Sequence, residues 1–377
     1  GHEAHRDEGA DVLSGLLTLF LILLGLAAAG FAVWAFLRHR YVSALQAKGW
    51  SFLGSPDISI THGLNVPPFG VGFDRSVKDQ VVGAAGDGTP FASFDYRSDA
   101  WRGTVAVVPL PHSMPPAELT AVAVGVPGRI HVDHASLVML GARKDADELQ
   151  ADVDALAQAR RELLASSHAR LTGPPPPTHL AFHDHPDWTY LPQDDRYLDL
   201  VEYTEGGSDH EAVNIITGDG NGLPFVRLTH KWTTTRTSTD ANGHTSTHTD
   251  HHSEDLCEFR TTFRFGDIAC NWGLFGRSQK FEWEEFNKRV RVNARDQKFA
   301  SDVIHQRQME FLLKAGAPSF RIAQGRIQVG GRDDWMPDDI DLALRFLHGF
   351  FGRVPDFVWQ GLGAWPRPIA EIEPPAR

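Results

Sequence analysis

Cysteine is nearly absent from this chain of 377 residues; only Cys257 and Cys270 occur. Two thiols build no disulfide framework, and they suit a reducing cytoplasm, although they would be free to pair if the domain faced outside. There is no C-x-x-C pair, no G-x-S-x-G elbow, no H-E-x-x-H pair and no G-x-x-x-x-G-K-[ST] phosphate loop. The signatures that announce a nucleophile, a helix-borne zinc site or a nucleotide cradle are therefore missing. Net positive charge is lacking too. The formal charge of −12 argues against nucleic acid and against broad docking on anionic lipid. Lys is scarce beside Arg while Ala, Gly and Pro are abundant, a bias typical of a high-GC bacterial genome.

One long apolar run is present, Val12 to Leu37, between Asp11 and Arg38. At about 1.5 Å per residue it spans roughly 39 Å as a helix, more than the ~30 Å hydrocarbon core of a bilayer. A secretory h-region is shorter and follows a basic flank, whereas the flank here is acidic. The run is read as a membrane helix. Arg38, Arg40 and Lys48 follow it, against Arg6 alone before it, so the positive-inside rule places the N-terminus outside and the main domain in the cytoplasm. Trp34 and Tyr41 suit the interface. Gly25, Ala28, Ala29 and Ala32 form a small-residue face on which another membrane helix can pack.

The remainder is long enough for two ordinary domains, and an internal duplication organises it. Trp50-Ser-Phe52-Leu53 is echoed by Trp188-Thr-Tyr190-Leu191, and the Gly-rich segment Gln80–Phe91 by Asn214–Phe225. In the second pair Gly86/Gly220, Gly88/Gly222, Pro90/Pro224 and Phe91/Phe225 coincide without a gap. The Gly-rich stretches lie between predicted strands and read as hairpin turns. A linker, Thr172 to Thr178, holds four consecutive prolines and favours a semi-rigid extended spacer.

The expected class is α+β: a transmembrane helix, then two tandem β-rich units, each closed by a C-terminal amphipathic helix. The boundaries are 1–11 for the outer N-terminus, 12–37 for the span, 38–171 for the first unit, 172–178 for the linker, 179–353 for the second unit and 354–377 for an extended tail. The first closing helix covers Ala146 to Leu164, with Leu149, Val153, Leu156 and Leu163 at helical spacing. Its acidic start, Asp145, Asp147, Glu148 and Asp152, reads as a solvated face favoured by the helix dipole. The second closing helix starts at Pro337 and buries Ile340, Leu344, Leu347 and Phe351. Phe281 to Val292 is expected to be strand-like, Lys298 to Leu313 to be one helix, and Ser319 to Val329 to be a hairpin through Gln324-Gly325. In the tail, Phe357, Trp359 and Trp365 are expected to anchor an extended segment on this domain or a neighbour.

Asn242-Gly243 is a strong hairpin signal, because both residues tolerate the positive φ of a type I′ turn. Pairing outward from it sets Lys231 opposite Glu254 and Arg227 opposite Glu258, and defines a long arm over 225–265. The outer arm is polar on both faces and is expected to project into water or lie against a partner, with Trp232, Arg236, Asn242 and Gly243 as contact residues. Its histidines offer a candidate divalent-metal site. His244, His248 and His252 share one strand face with Asp250, while His251 points away. No compact ligand set closes that shell, so no cofactor is predicted beyond this candidate. His179, His183, Asp184 and His185 form a second, weaker cluster.

Phe281–Leu313, with Glu285-Phe286-Asn287-Lys288-Arg289, then a strand, then a helix closing on Met309-Glu310, resembles a group of uncharacterised bacterial single-pass membrane-anchored proteins, a domain-of-unknown-function family. Val105–Pro111 and Arg353–Trp359 have a similar look. The resemblance implies membrane anchoring and carries no assigned activity. The expected function is a non-catalytic interaction or scaffold protein, an accessory subunit of a larger bacterial membrane assembly. A metal-binding protein using the histidines and a lipid- or ligand-binding module of pleckstrin-homology-like type, a fold-level analogy, are the alternatives.

Overall fold

The computed structural model describes residues 4–119, 129–239, 245–273, 278–314, 317–331 and 333–371. It is α+β, with an N-terminal apolar helix and two antiparallel sheets. The chain divides into two compact units, 1–68 with 75–176, and 69–74 with 177–377.

The first unit begins with α1 (Ala4–Ala47), 44 residues without a break. Proline is absent from it, and straight-chain and small residues favour the helix throughout. Leu19–Ala47 has a mean hydropathy of 2.4 and nothing in this structure buries its apolar window. It is long and apolar enough to cross a membrane; a signal sequence meets the same test of length and composition. Past the apolar run the helix continues through Arg38 to Ala47 and enters the domain. Leu45 is fully buried in the core, Arg38 reaches Asp79 at 3.4 Å and Lys48 reaches Asp147 at 2.8 Å.

Seven strands follow: β1 (Ser51–Leu53), β2 (Ser76–Ala84), β3 (Pro90–Arg97), β4 (Arg102–Pro109), β5 (Ala117–Leu119), β6 (Arg129–Asp133) and β7 (Ser136–Leu140). They form one sheet in the order β1-β2-β3-β4-β7-β6-β5. The β2–β3 connection is the Gly-rich turn, with Ala84 opposite Pro90. The apolar stretch Leu119 to Val124 also reads as a strand in the sequence, and part of it lies outside the described residues. Helix α2 (Ala146–Ala165) is capped by Asp145, whose side chain accepts from the Asp147 and Glu148 amides. It buries Leu149, Val153, Leu156 and Leu163 against the sheet. Asp152 departs from the solvated face expected of it: it is buried and holds Arg143 at 2.5 Å. The indole of Trp50 meets Phe91 edge-on at 5.0 Å and covers Gly83. A Cβ at Gly83 would stand 2.2 Å from that indole, so only glycine fits.

The second unit holds β8 (Thr189–Gln193), β9 (Ser208–Asp219), β10 (Pro224–Thr239), β11 (Thr245–Arg260) and β12 (Ile268–Trp272). Then come α3 (Glu284–Arg289), β13 (Val290–Ala294), α4 (Gln297–Val303), α5 (Gln306–Lys314), β14 (Phe320–Ala323), β15 (Arg326–Val329), α6 (Pro337–Phe351) and α7 (Asp356–Gly361). The sheet order is β13-β12-β14-β15-β11-β10-β9-β8. Counted from each unit's first strand, and leaving β13 aside, this is the order of the first sheet. Trp188 stands where Trp50 does in its own unit: it meets Phe225 edge-on at 4.8 Å and covers Gly218, where a Cβ would come within 2.6 Å of the ring.

Four expectations need correction. Phe69–Asp74, assigned above to the first unit, groups with the second. Phe73 lies under the Arg227 guanidinium at 4.4 Å, and Asp74 exchanges hydrogen bonds with Asn214. Phe281 to Val292 is not all strand, because Glu284–Arg289 closes a helical turn with two i,i+4 ion pairs. The single helix expected over Lys298 to Leu313 is two, broken at Ile304, where the His305 ring bonds the Arg353 carbonyl. The tail is partly helical: α7 buries Trp359 completely, while Phe357 and Trp365 remain more than half exposed. Only one of the three aromatics is therefore an anchor within this chain.

The arm's register also differs. Thr239 pairs with Thr245, so Lys231 faces Ser253, Arg227 faces Cys257 and His230 faces Glu254. The last described pair, Thr239 with Thr245, is one residue out of the expected register; Asn242 and Gly243 lie outside the described residues. A one-residue slip moves every side chain to the other face. The observed register places Thr229 within hydrogen-bond reach of Asp255 and sets Thr235, Thr237 and Ser238 against Thr249, Thr247 and Ser246. Cross-strand hydroxyl pairs of this kind favour the alignment. Arg227 and Glu258 keep opposite charges yet find other partners, Asp255 and Arg326.

Candidate interaction site at the base of the hairpin arm

Three adjacent strands bring one residue each into a row. Glu254 of β11 faces His230 of β10, and His230 Nδ1 lies 2.9 Å from Glu254 Oε1. His210 of β9 completes the row, with its Nδ1 2.9 Å from His230 Nε2. A carboxylate only accepts, so His230 donates through Nδ1; in its neutral form it then accepts at Nε2 from His210. His230 is fully buried. Glu254 also accepts from the Thr204 amide at 2.8 Å and the Thr204 hydroxyl at 3.2 Å. Burial works against its ionised form, but these hydrogen bonds and that from His230 prevail and hold the carboxyl below its ordinary value.

The next row outward is aromatic. Trp232 stacks on His230 at 4.6 Å and on His252 at 5.1 Å, while His230 lies parallel to His210 at 5.1 Å. Tyr203 closes edge-on over His230 at 4.7 Å. Alternation along a strand explains the assembly, since 230, 232 and 234 share a face with 250, 252 and 254. Beyond it the face turns polar and exposed. Asp250 takes His248 at 3.0 Å and Arg236 at 3.5 Å, and the Thr234 hydroxyl lies 2.8 Å from His252 Nε2.

The candidate metal ligands are thus committed separately. His248 and His252 are four residues apart on an extended strand, about 13 Å along its axis, too far to share one ion. Among the described residues no group of three or more His, Cys, Asp or Glu side chains is arranged to hold a metal ion; His244 lies outside them. His185 of the second cluster stacks on Trp188 at 3.7 Å and bonds Asp341 of α6 at 2.9 Å. Cys257 and Cys270 are buried, unbridged thiols whose ionisation burial suppresses. In the helix α1, Gly25 has nothing within 4 Å of where a Cβ would stand, and Ala28, Ala29 and Ala32 are exposed.

His210, His230 and Tyr203 are not singled out by the sequence, and Glu254 is placed opposite the wrong residue. The register error hid the first link, since it set Lys231 rather than His230 against Glu254. Comparison with protein-family models, curated proteins and solved structures returns no match.

The row predicts an acid-sensitive arm base. Glu254 has a lowered pKa in the folded state, so its stabilisation is complete above the ordinary carboxylate value, 4.5, and is lost as pH falls through the folded value. Hydrogen exchange, corrected for the intrinsic effect of pH, is expected to show the Thr204 amide losing protection across that window. In Glu254→Gln the profile should be flat. An identical acid response in the variant would remove Glu254 as its cause.

Proposed function

We propose that this chain is a non-catalytic, membrane-anchored interaction protein, an accessory subunit of a larger bacterial membrane assembly. In this reading α1 spans the bilayer with its N-terminus outside, and two units related by duplication work in the cytoplasm. The small-residue face at Gly25, Ala28, Ala29 and Ala32 serves helix packing within the membrane. The duplication is supported by the shared strand order and by the matching Trp50/Gly83/Phe91 and Trp188/Gly218/Phe225 triads. The family resemblance at Phe281–Leu313 supports anchoring and nothing more specific.

The observation that carries the reading is the arm. Its neighbour β9 stops pairing at Ser208, opposite Thr233, and β15 pairs only with Glu258–Arg260. The strands Thr234–Thr239 and Thr245–Asp250 therefore pair only with each other among the described residues. An unpaired edge is a template for another chain. The stacked imidazoles, indole and carboxylate fix the root of the ribbon, which lowers the ordering cost of presenting the paired strands Thr234–Thr239 and Thr245–Asp250 to a partner.

Joining Thr234 to Asp250, which already face each other, through a two-residue turn removes the tip and keeps the root. Full-length protein extracted in mild detergent is expected to run as a complex, and the shortened variant to lose that complex while retaining its fold. Equal particle masses for the two would refute the role of the arm.

A further inference from the structure

Unit one carries a concentration of positive charge that the chain's overall acidity conceals. Lys78 and Asp95 are directly paired across β2 and β3; Asp95 and Thr104, and Arg97 and Arg102, are paired across β3 and β4. Lys144, just before α2, closes on Asp95 as an ion pair. Lys78, Asp95, Arg97, Arg102, Thr104 and Lys144 line one cleft of about 180 Å³. It holds four cations against one carboxylate, and that carboxylate is already engaged by Lys144 and by the Thr104 hydroxyl at 2.7 Å. Among the described residues no carboxylate pairs with Lys78, Arg97 or Arg102.

Like charges directly opposite each other on neighbouring strands are destabilising. Arg97 facing Arg102, in a concave surface with two lysines beside it, is an arrangement that an anion relieves. Arginine forks match phosphate oxygens geometrically, and the Thr104 hydroxyl adds a polar group to the same lining.

The position of the cleft selects the anion. An adjoining hollow shares Asp95, Thr104 and Lys144 with it and is lined also by Tyr41 and Asp79. Tyr41 lies four residues beyond Leu37, where the apolar run ends, or about 6 Å along the helix. The headgroup layer on each side of a bilayer is about 5–8 Å deep. Arg38, salt-bridged to Asp79, and Leu45, buried in the core, tie the helix to this sheet. We propose that the Lys78/Arg97/Arg102/Lys144 cleft binds the phosphate of an anionic phospholipid in the leaflet where α1 emerges. The proposal rests on α1 being a membrane anchor, and alkaline carbonate extraction tests that reading separately.

The test uses the full-length protein reconstituted into bilayers of phosphatidylcholine with phosphatidylglycerol, then released for native mass spectrometry. The wild type is expected to retain phosphatidylglycerol in preference to phosphatidylcholine. Arg97→Gln with Arg102→Gln should reduce that preference by about fivefold for each cation removed. Relief of the Arg97–Arg102 repulsion should leave the melting temperature unchanged or higher. Lys78→Gln, on the facing strand, is a second variant that should lose preference in the same direction. Inorganic phosphate is the soluble control and should not displace the lipid. Equal lipid retention by wild type and both variants, in a protein that resists carbonate extraction, would overturn the headgroup site. Thermal stabilisation by inorganic phosphate without lipid retention would overturn the lipid as its occupant.

Discussion

Arg227→Ala is expected to destabilise the second unit by about 3–5 kcal/mol, the cost of breaking a buried, fully bonded charge. Arg227 is 2 % exposed. Its Nε donates to the Trp335 carbonyl at 3.0 Å, Nη1 to the Asn214 carbonyl and the Thr229 hydroxyl at 3.0 and 2.9 Å, and Nη2 to the Asp334 carbonyl at 2.8 Å. Asp255 supplies the countercharge at 3.0 Å and Phe73 stacks below. Burial lowers the pKa of the guanidinium and Asp255 opposes that, but an arginine remains protonated at any working pH. Alanine would remove the charge and leave three carbonyls without this donor. Arg227→Lys keeps the charge but not the planar fork, so it should recover only part of the loss. Denaturant unfolding of the second unit, followed by exchange of its core amides, reads both. A cost below about 1 kcal/mol for Arg227→Ala, the level of a surface pair, would show that these bonds are not what holds that core.

Trp359→Ala is expected to cost about 3–5 kcal/mol, as for other fully buried large aromatics. Its indole is fully buried, with ring centres of Phe263 and Phe265 at 5.3 and 5.7 Å and Phe351 at 6.3 Å. Among the described residues the Nε1 of Trp359 has no hydrogen-bond partner, so the ring contributes through packing. Trp359→Phe keeps an aromatic ring but leaves a smaller cavity, so it should cost well under the loss of Trp359→Ala. Exposed Phe357→Ala should be near neutral in the isolated protein. If Trp359→Ala were as mild as Phe357→Ala, α7 would not be part of this core.

What the sequence revealed and what it hid divide along the range of the interactions involved. The apolar run at Val12–Leu37, the face of α2 at Leu149, Val153, Leu156 and Leu163, and the Gln324-Gly325 turn are local patterns. The turn residues adopt φ of 53° and 80°, as its type requires. The repeated Trp and Phe positions were legible as an echo, but Gly83 and Gly218, which Trp50 and Trp188 cover, fall one place apart in the ungapped pairing and were not. Phe69–Asp74 was misassigned because its partners, Arg227 and Asn214, lie some 140 to 150 positions away and leave no periodic trace. The arm's register failed because an Asn242-Gly243 turn predicts Thr239 opposite Ser246, whereas Thr239 pairs with Thr245. That one-residue difference separated Glu254 from His230 and so hid the His210–His230–Glu254 row. The two-helix break at Ile304 and the fold of the tail onto Phe263 and Phe265 are likewise decided by tertiary packing.

The exposed strands Thr234–Thr239 and Thr245–Asp250 of the β10–β11 arm are proposed to make the functional contact of an anchored interaction protein. The most direct test of that contact is site-specific photocrosslinking in intact cells. A photoreactive side chain is placed at Thr237 of the arm and, as a control, at exposed Gln158 on α2. The account predicts a discrete adduct from Thr237, abolished when the arm is shortened, and none from Gln158. No adduct from Thr237, or equal adducts from both positions, would contradict it.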